Sequence, residues 1–402
     1  MNKSESTMKQ YSLLSKGMVA TMLAQFFSAF ADNAIFFAIL AYIKNLHYPQ
    51  WSQSVLQISF VVPFIILSPF VGQFADSMSK GKAMMIANGL KLIGAASICL
   101  NISPFIGYFL VGIGAAGYSP AKYGILGELT SGDKLIKANG LIEASTIAAI
   151  LLGSLAGGHI ADMNVSASLL TCVLMYALAV IANIFIPKLP AARKDIHWKF
   201  TSMVKDFTHT VKIIFSNKQA LYTLLGTSLF WGAGITLRFL LISWVPVVLG
   251  IVDNSTPTNL NAIVAIGIVI GAGLASVFIS IDKTLRCIPA GIMMGIAVIV
   301  FTLQSHIISS YILLVIIGAL GGFFLVPLNA LIQKMGKDLV GAGSVISIQN
   351  LSEYSAMMIM LGLYTLAVAL NLPVIAIGVG FGCLFTLVIF FLWLGLRKHA
   401  KH

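Results

Sequence analysis

The chain has few charged residues. Asp, Glu, Lys and Arg make up 9% of its 402 residues, whereas about a quarter of the residues in soluble domains are charged. Hydrophobic residues make up 58%, and the mean hydropathy is +0.95. The four cysteines lie singly in separate apolar stretches, so the paired spacing of a zinc or redox site is absent. These shortages exclude an ordinary globular protein and a cysteine-based metal site.

The motifs of several enzyme classes are also missing. There is no His-x4-Asp acyltransferase pair and no Gly-x-Ser-x-Gly elbow. Neither Gly81-Lys82 nor Gly336-Lys337 has the glycine that a nucleotide-binding loop requires five residues earlier. We therefore expect that the chain is not an enzyme, with no catalytic residues, no metal and no cofactor, and that it does not drive transport with ATP.

Long apolar runs are abundant instead. A run of 18 or more apolar residues predicts a membrane-spanning helix. Lipid-embedded backbone must be helix or closed barrel, and the short alternating segments of barrel strands are absent. The sequence predicts an all-α membrane protein with twelve spans, numbered 1 to 12 in chain order, at 17–45, 52–77, 83–101, 104–130, 137–162, 165–187, 219–249, 259–280, 286–304, 309–335, 341–370 and 372–396.

The basic residues are sorted by side of the membrane. The net charge of +12 is typical of nucleic-acid-binding proteins. However, twenty-one of the twenty-five Lys and Arg lie in the two tails and the even-numbered loops, and the odd-numbered loops hold only Lys44. Because cytoplasmic loops carry the excess of basic residues, both termini are predicted to be cytoplasmic. The charge reflects topology, and no nucleic-acid partner is expected.

The longest hydrophilic interval divides the chain into halves. We predict an N-terminal six-helix half at 1–187, a cytoplasmic linker at 188–218 and a C-terminal six-helix half at 219–402. Basic residues alternate with apolar ones in the linker, which favours an amphipathic helix on the anionic leaflet. A simple tether between the halves explains the same pattern, and both interpretations stay open.

A weak internal repeat supports the division. Residues 114–122 align with residues 321–329 if one gap is allowed, and each copy has a glycine-rich run before a mid-span proline. A polar residue follows two positions after the proline, Lys122 in one copy and Asn329 in the other. Repeats with Gly- and Pro-interrupted helices are typical of alternating-access transporters near their binding sites.

Three charged residues lie near the middle of apolar spans: Asp32, Lys122 and Arg238. A charge at mid-bilayer costs about 2.5–3.5 kcal/mol on insertion scales, so it normally faces a bundle interior or a wet cavity. Lys122 and Arg238 suit a phosphodiester, and Asp32 suits an ammonium group or a salt bridge with either cation. Asn33 and Tyr118, which share turns with these residues, are candidates for hydrogen bonds to a glycerol hydroxyl, and a plain helix-contact role is the alternative for both. The structural alternative for each charge is an ion pair between helices.

Lys91 is a further cation within a span. It lies about two turns inside predicted span 3, and long basic side chains near helix ends often extend to the interface. We interpret it as a structural or lipid-contacting residue.

The loop between spans 2 and 3 resembles that of a known family. Residues 72–82 contain a glycine, then Ala75-Asp76, then the basic turn with Lys80 and Lys82, and this resembles the loop motif of the major facilitator superfamily. The spacing after Asp76 is one residue longer than the usual pattern. The resemblance implies a charged latch of Asp76, Lys80 and Lys82 that holds neighbouring helices at the cytoplasmic face.

A narrower resemblance extends over nearly the whole chain. Residues 25–33, 118–124, 230–239 and 326–331 are similar to those of bacterial lysophospholipid transporters of this superfamily. The resemblance implies movement of lysophosphatidylethanolamine and lysophosphatidylglycerol to the cytoplasmic leaflet of the bacterial inner membrane. A separate acyltransferase/acyl-carrier-protein synthetase then reacylates them. The alternative is a proton-coupled exporter of drugs or metabolites, in which Asp32 carries the proton.

The family fold also implies which spans line the central cavity. They are spans 1, 4, 7 and 10, which carry Asp32, Lys122, Arg238 and Asn329. Glu143, Asn350 and Glu353 lie on spans 5 and 11, which flank the cavity in this fold. Gating through hydrogen bonds between helices and a purely structural role are both open for these three residues.

Overall fold

The chain folds into helices throughout its described part. The structure, a computed structural model, describes residues 15–129, 133–190, 200–279, 284, 286–339 and 342–399. Thirteen α-helices and no strand occur in these residues. The helices are α1 Lys16–Asn45, α2 Ser52–Asp76, α3 Lys80–Cys99, α4 Pro104–Leu129, α5 Asp133–Met163, α6 Val165–Ile184, α7 Phe200–Ser216, α8 Lys218–Trp244, α9 Ser255–Phe278, α10 Ile288–Thr302, α11 Ile307–Leu339, α12 Ala342–Ala369 and α13 Val374–His399.

Twelve of these helices coincide with the predicted spans. Every helix end lies within four residues of its predicted position when the π-helical turn Val245–Leu249 is counted with α8. Within the described ranges, nine helices are long and apolar enough to cross a membrane, and the segments Ala148–Met163 and Ile288–Thr302 are shorter apolar helices. Each of the twelve predicted spans is thus helical, and the prediction of an all-α membrane protein is confirmed.

Local sequence signals set the helix ends. Ser15 and Asn164 have extended backbones and accept hydrogen bonds from the first turns of α1 and α6, at 3.3 and 3.0 Å. Asn217 caps α8 in the same way, since its side-chain oxygen accepts from the backbone of Ala220 at 3.0 Å. These side chains satisfy amides that a helix start leaves without partners.

The chain forms two compact units. The N-terminal unit comprises residues 1–48 and 55–205, and the C-terminal unit comprises residues 49–54 and 206–402. In the N-terminal unit α1 packs on α5 and α6, and α3 packs on α4 and α6. In the C-terminal unit α8 packs on α12 and α13, and α10 packs on α11 and α13. The same packing order therefore recurs seven helices later in this numbering, which is six predicted spans later because α7 is not one of them, as an internal duplication requires.

Glycines bring some helices into backbone contact. Four of them form the crossing of α9 and α11: Gly267, Gly271, Gly318 and Gly322. A Cβ atom added at Gly271 would overlap the backbone carbonyl of Ala319. Gly153 of α5 lies in the same way against the carbonyl of Phe30 on α1. Small residues at such crossings let membrane helices approach closely.

Residues 206–216 of α7 pack with their apolar side inside the C-terminal unit. Ile214 is fully buried, and Phe207 and Val211 pack beside it on residues of α8, α11 and α12. Lys205 and Lys212 are exposed. The apolar stripe that predicts an amphipathic helix is therefore covered by protein along these residues, while the basic face stays open. Residues 191–199 of the predicted linker lie outside the described residues.

Candidate substrate site

A polar cluster lies in the N-terminal unit where α1, α3, α4 and α6 meet. At its centre the ammonium of Lys91 contacts Oδ2 of Asp32 at 2.7 Å. The Lys91 side chain is 1% exposed and that of Asp32 is 22% exposed. The pair therefore has a buried cationic side and a partly open anionic side. Charges at this depth are normally paired.

Neighbouring side chains complete the hydrogen bonding of this pair. The Tyr176 hydroxyl donates to Oδ1 of Asp32 at 2.8 Å, and Lys91 also donates to Oγ of Ser28 at 2.9 Å. The Ser28 hydroxyl in turn donates to Oδ1 of Asn88 at 2.8 Å. The Lys91 ammonium lies 4.9 Å from the ring centroid of Tyr118 and 5.9 Å from that of Tyr176. Both distances are within the range of cation–π attraction.

Of the two interpretations of Lys91, the lipid-contacting one was wrong, and the structural one agrees with the position of the residue. Lys91 does not extend to the interface or to lipid, because it is buried and bound to Asp32. Its aliphatic stem lies against Gly114 of α4, where an added Cβ would come 2.7 Å from its Cγ. The available signals were Gly114 in the repeated glycine-rich run and Asn88, which lies three residues before Lys91 on the same helix face.

The other candidates of the N-terminal unit occupy different positions. Tyr118 is buried within the cluster. Lys122 follows it by one turn of α4 and is also buried. Asn33 is half-buried, and its side-chain amide donates to the carbonyl of Ala29 in its own helix at 2.8 Å. The structure thus brings Asp32 and Tyr118 together around Lys91, a residue that the sequence did not indicate as part of the site.

The C-terminal unit holds a second polar group. Nε2 of Gln349 donates to Oδ1 of Asn329 and to Oε1 of Glu353, both at 2.8 Å. Glu353 is buried, whereas Asn350 is half-buried on the same helix. Gln349 links α11 to α12 and was missed, although it lies one helical turn before Glu353. Arg238, the predicted mid-span cation on α8, is half-buried.

The structure describes the side chains of some of the candidate gating residues near the α2–α3 turn. The Lys80 ammonium donates to the carbonyl of Ala75 at 3.0 Å, so it caps the C-terminal end of α2. Lys82 is exposed. The side chains of Asp76 and Glu143 lie outside the described residues, and the charged latch stays a prediction.

An apolar cavity of about 40 Å³ lies within the C-terminal unit. Its lining comes from α8, α9, α10, α11 and α13 and includes Phe230, Gly234, Leu237, Val298, Ile317 and Phe385. Gly234 is exposed, and a Cβ added there would meet no atom within 4 Å, whereas Val298 and Phe385 are buried. The cavity therefore runs from an exposed glycine on α8 into the core of the unit. This glycine, Gly234, lies four residues before Arg238.

Known proteins resemble this chain along nearly its full length. Curated relatives in Escherichia coli O1:K1 / APEC and in Shigella boydii serotype 4 (strain Sb227) are each 59% identical over 396 residues, which cover 98% of this chain and 100% of theirs. Both are named lysophospholipid transporter LplT.

Solved transporters share the fold at low sequence identity. A POT family transporter in complex with a thioalcohol-conjugated peptide is 14% identical with a TM-score of 0.77, over 95% of this chain and 96% of its own. The nucleoside transporter NupG is 13% identical with a TM-score of 0.65, over 92% and 99%. The model of the Major Facilitator Superfamily matches residues 21–360. The chain belongs to the Major Facilitator Superfamily.

Proposed function

We propose that this protein moves lysophospholipids, of the lysophosphatidylethanolamine and lysophosphatidylglycerol type, to the cytoplasmic leaflet of the bacterial inner membrane by alternating access. The observation that carries the proposal is 59% identity, over 98% of the chain, to transporters of that name. Each unit also offers one of the two chemistries of a lysolipid: the N-terminal unit holds a polar cluster, and the C-terminal unit holds an apolar cavity.

We assign the head group to the polar candidates. Lys122 and Arg238 each bind the phosphodiester, Lys122 as a compact charge and Arg238 with its planar fork. Asp32 accepts hydrogen bonds from the ethanolamine ammonium or the glycerol hydroxyls. Asn33, Tyr118 and Asn329, which are polar residues of three of the four predicted cavity-lining spans, contribute contacts to hydroxyl groups. The apolar cavity at Gly234 takes the end of the acyl chain, because its lining offers no polar partner.

The remaining residues and partners complete the proposal. Asp76, Lys80 and Lys82 hold the cytoplasmic ends of neighbouring helices, and Glu143, Asn350 and Glu353 act in gating. Both termini are cytoplasmic, and the basic face of α7 contacts anionic lipid head groups. No cofactor takes part. A separate acyltransferase/acyl-carrier-protein synthetase consumes the delivered lysolipid, so the chain itself carries out no chemistry.

Replacement of the two phosphate-binding cations tests the proposal. Arg238→Ala and Lys122→Ala are expected to abolish uptake of labelled lysophosphatidylethanolamine into spheroplasts, because each removes a charge-assisted contact. Arg238→Lys restores uptake only in part, since the fork is lost. Lys205→Ala, an exposed lysine on α7, is the matched control. Normal uptake by both alanine variants would remove the phosphate assignment.

A second measurement distinguishes the proposed lysolipid transporter from a proton-coupled exporter. A lysolipid that is reacylated on the cytoplasmic side already moves downhill, so uptake is expected to continue after a protonophore collapses the proton gradient. Acyltransferase activity is measured in the same samples. Loss of most of the uptake at constant acyltransferase activity would favour a proton-coupled carrier with Asp32 as the proton site.

A further inference from the structure

The Asp32 carboxylate is bound on one side and open on the other. Oδ2 accepts from Lys91 and Oδ1 accepts from Tyr176. A carboxylate offers about four acceptor positions, so two hydrogen bonds leave room for further donors. The side chain is 22% exposed, whereas Lys91 is 1% exposed. A ligand therefore reaches the open edge of Asp32 without displacing Lys91.

Lys91 is held firmly behind this carboxylate. Its ammonium donates to Asp32 and to Ser28 and faces the ring of Tyr118 at 4.9 Å. Its stem occupies the space that Gly114 leaves free. Removal of one partner from a buried ion pair is strongly unfavourable, so the pair stays together when a ligand binds. The ligand consequently meets a hydrogen-bond acceptor whose charge is already neutralised.

We propose that Lys91 determines the head-group selectivity of this site: it neutralises Asp32, so that the carboxylate accepts a hydrogen bond from a primary ammonium or from a hydroxyl with little preference for charge. The inference rests on the proposed lysolipid transport and goes beyond it, because it explains how one carboxylate serves two head groups. A zwitterionic ethanolamine lipid and an anionic glycerol lipid both present suitable donors. Without Lys91, the lone negative charge favours the ammonium and repels the anionic lipid.

The test compares the two head groups in one variant. Lys91→Met keeps an unbranched stem beside Gly114 and removes the ammonium. Initial uptake rates of lysophosphatidylethanolamine and lysophosphatidylglycerol with the same acyl chain are measured in proteoliposomes of fixed lipid composition. The ratio of the two rates is expected to rise about tenfold in favour of the ethanolamine lipid. Lys91→Arg, which retains the positive charge, is expected to keep the wild-type ratio.

A double variant separates charge from folding. Asp32→Asn combined with Lys91→Met removes both charges, so the ratio is expected to return close to the wild-type value, although both rates are lower. If Lys91→Met does not insert, Lys91→Gln replaces it, since glutamine retains an N–H donor for Asp32, and the same rise is expected. A ratio that stays unchanged while both rates fall equally means that Lys91 only supports the fold, and the inference is then overturned.

The same assay tells this failure from that of the proposed function. If the wild-type protein in proteoliposomes moves neither lysolipid, the transport proposal fails. If the wild-type protein moves both and the variant without the charge, Lys91→Met or Lys91→Gln, keeps its ratio, transport stands and the role of Lys91 fails. Tyr176→Phe removes one hydrogen bond to Asp32 and no charge, and it is expected to leave the ratio unchanged.

Discussion

The two units hold their buried carboxylates in different ways. In the N-terminal unit the partner of Asp32 is an ammonium, that of Lys91, with a tyrosine hydroxyl on the second oxygen. In the C-terminal unit Glu353 accepts from the neutral amide of Gln349. The first arrangement is a compensated charge pair and the second is an amide-bound carboxyl group. The polar residues of the two units are therefore not equivalent, although the helix packing repeats.

This difference decides what a neutral replacement does. When one member of a buried ion pair is removed, the other charge stays behind without compensation, which costs about 3–5 kcal/mol. When a carboxyl group bound by an amide becomes an amide, the hydrogen bond is retained and no cation is left alone. We therefore expect the two isosteric substitutions to have unequal effects, and the predictions below test this comparison.

The largest effect is expected for Asp32→Asn. Lys91 is then buried beside a neutral amide, and the free energy of unfolding is expected to fall by about 3 kcal/mol. Transport of both lysolipids is expected to be lost as well. The measurement is thermal unfolding in detergent together with uptake in proteoliposomes.

The control for Asp32→Asn is a second change in the same background. Lys91→Met added to Asp32→Asn removes the uncompensated charge, so it is expected to recover most of the lost stability. A double variant less stable than Asp32→Asn alone would mean that Lys91 stabilises the unit through packing, and the contrast between the units would lose its electrostatic basis.

An effect of intermediate size is expected when the apolar cavity of the C-terminal unit is narrowed. Gly234→Val places a branched side chain at the cavity mouth without a clash, because nothing lies within 4 Å of the added Cβ. Uptake of lysolipids with long acyl chains is expected to fall about tenfold, while that of short-chain lysolipids changes little. One methylene in a hydrophobic pocket changes selectivity by about 10–200-fold.

The matched control lies on α9. Gly273 is also exposed and mid-helical, and a Cβ added there meets nothing within 4 Å. Gly273→Val makes the same change in helix propensity outside the cavity lining, so it is expected to leave the chain-length profile unchanged. An equal loss for all chain lengths in Gly234→Val would show that the cavity does not take the acyl chain.

The sequence predicted the helices well because apolar length alone sets them. Each span needs enough apolar residues to cross the hydrocarbon core, and the ends are marked by polar caps such as Asn164 and Asn217. The amphipathic pattern of the linker continues through α7. It did not indicate that Ile214 packs on the C-terminal unit, because an apolar stripe does not specify whether protein or lipid covers it.

The candidate site was predicted in its residue types more than in its partners. Asp32 stands out in an apolar span, but its partner is set by the packing of α1 against α3, which no local pattern records. The distance of Lys91 from the predicted helix end does not distinguish a lysine that extends to the interface from one that is buried against a neighbouring helix. The glycine at position 114 gives the lysine its space, and a glycine facing a lysine on the neighbouring helix is visible only in three dimensions.

The smallest effect is expected for Glu353→Gln. The glutamine carbonyl accepts from Gln349 as the carboxylate does, so the free energy of unfolding is expected to change by less than about 1 kcal/mol. Glu353→Ala is the control: it takes away one of the two acceptors of the Gln349 amide, which costs about 1–3 kcal/mol. Transport by Glu353→Gln is expected to stay within about twofold of the wild type, since hydrogen bonding is preserved. Thermal unfolding and uptake are measured for these variants in parallel with Asp32→Asn.

If Glu353→Gln loses transport as fully as Asp32→Asn while its stability is unchanged, the ability of Glu353 to exchange a proton is required. The C-terminal unit would then hold a second functional charge, and the contrast between a charge pair and an amide-bound carboxyl group would no longer describe the two units.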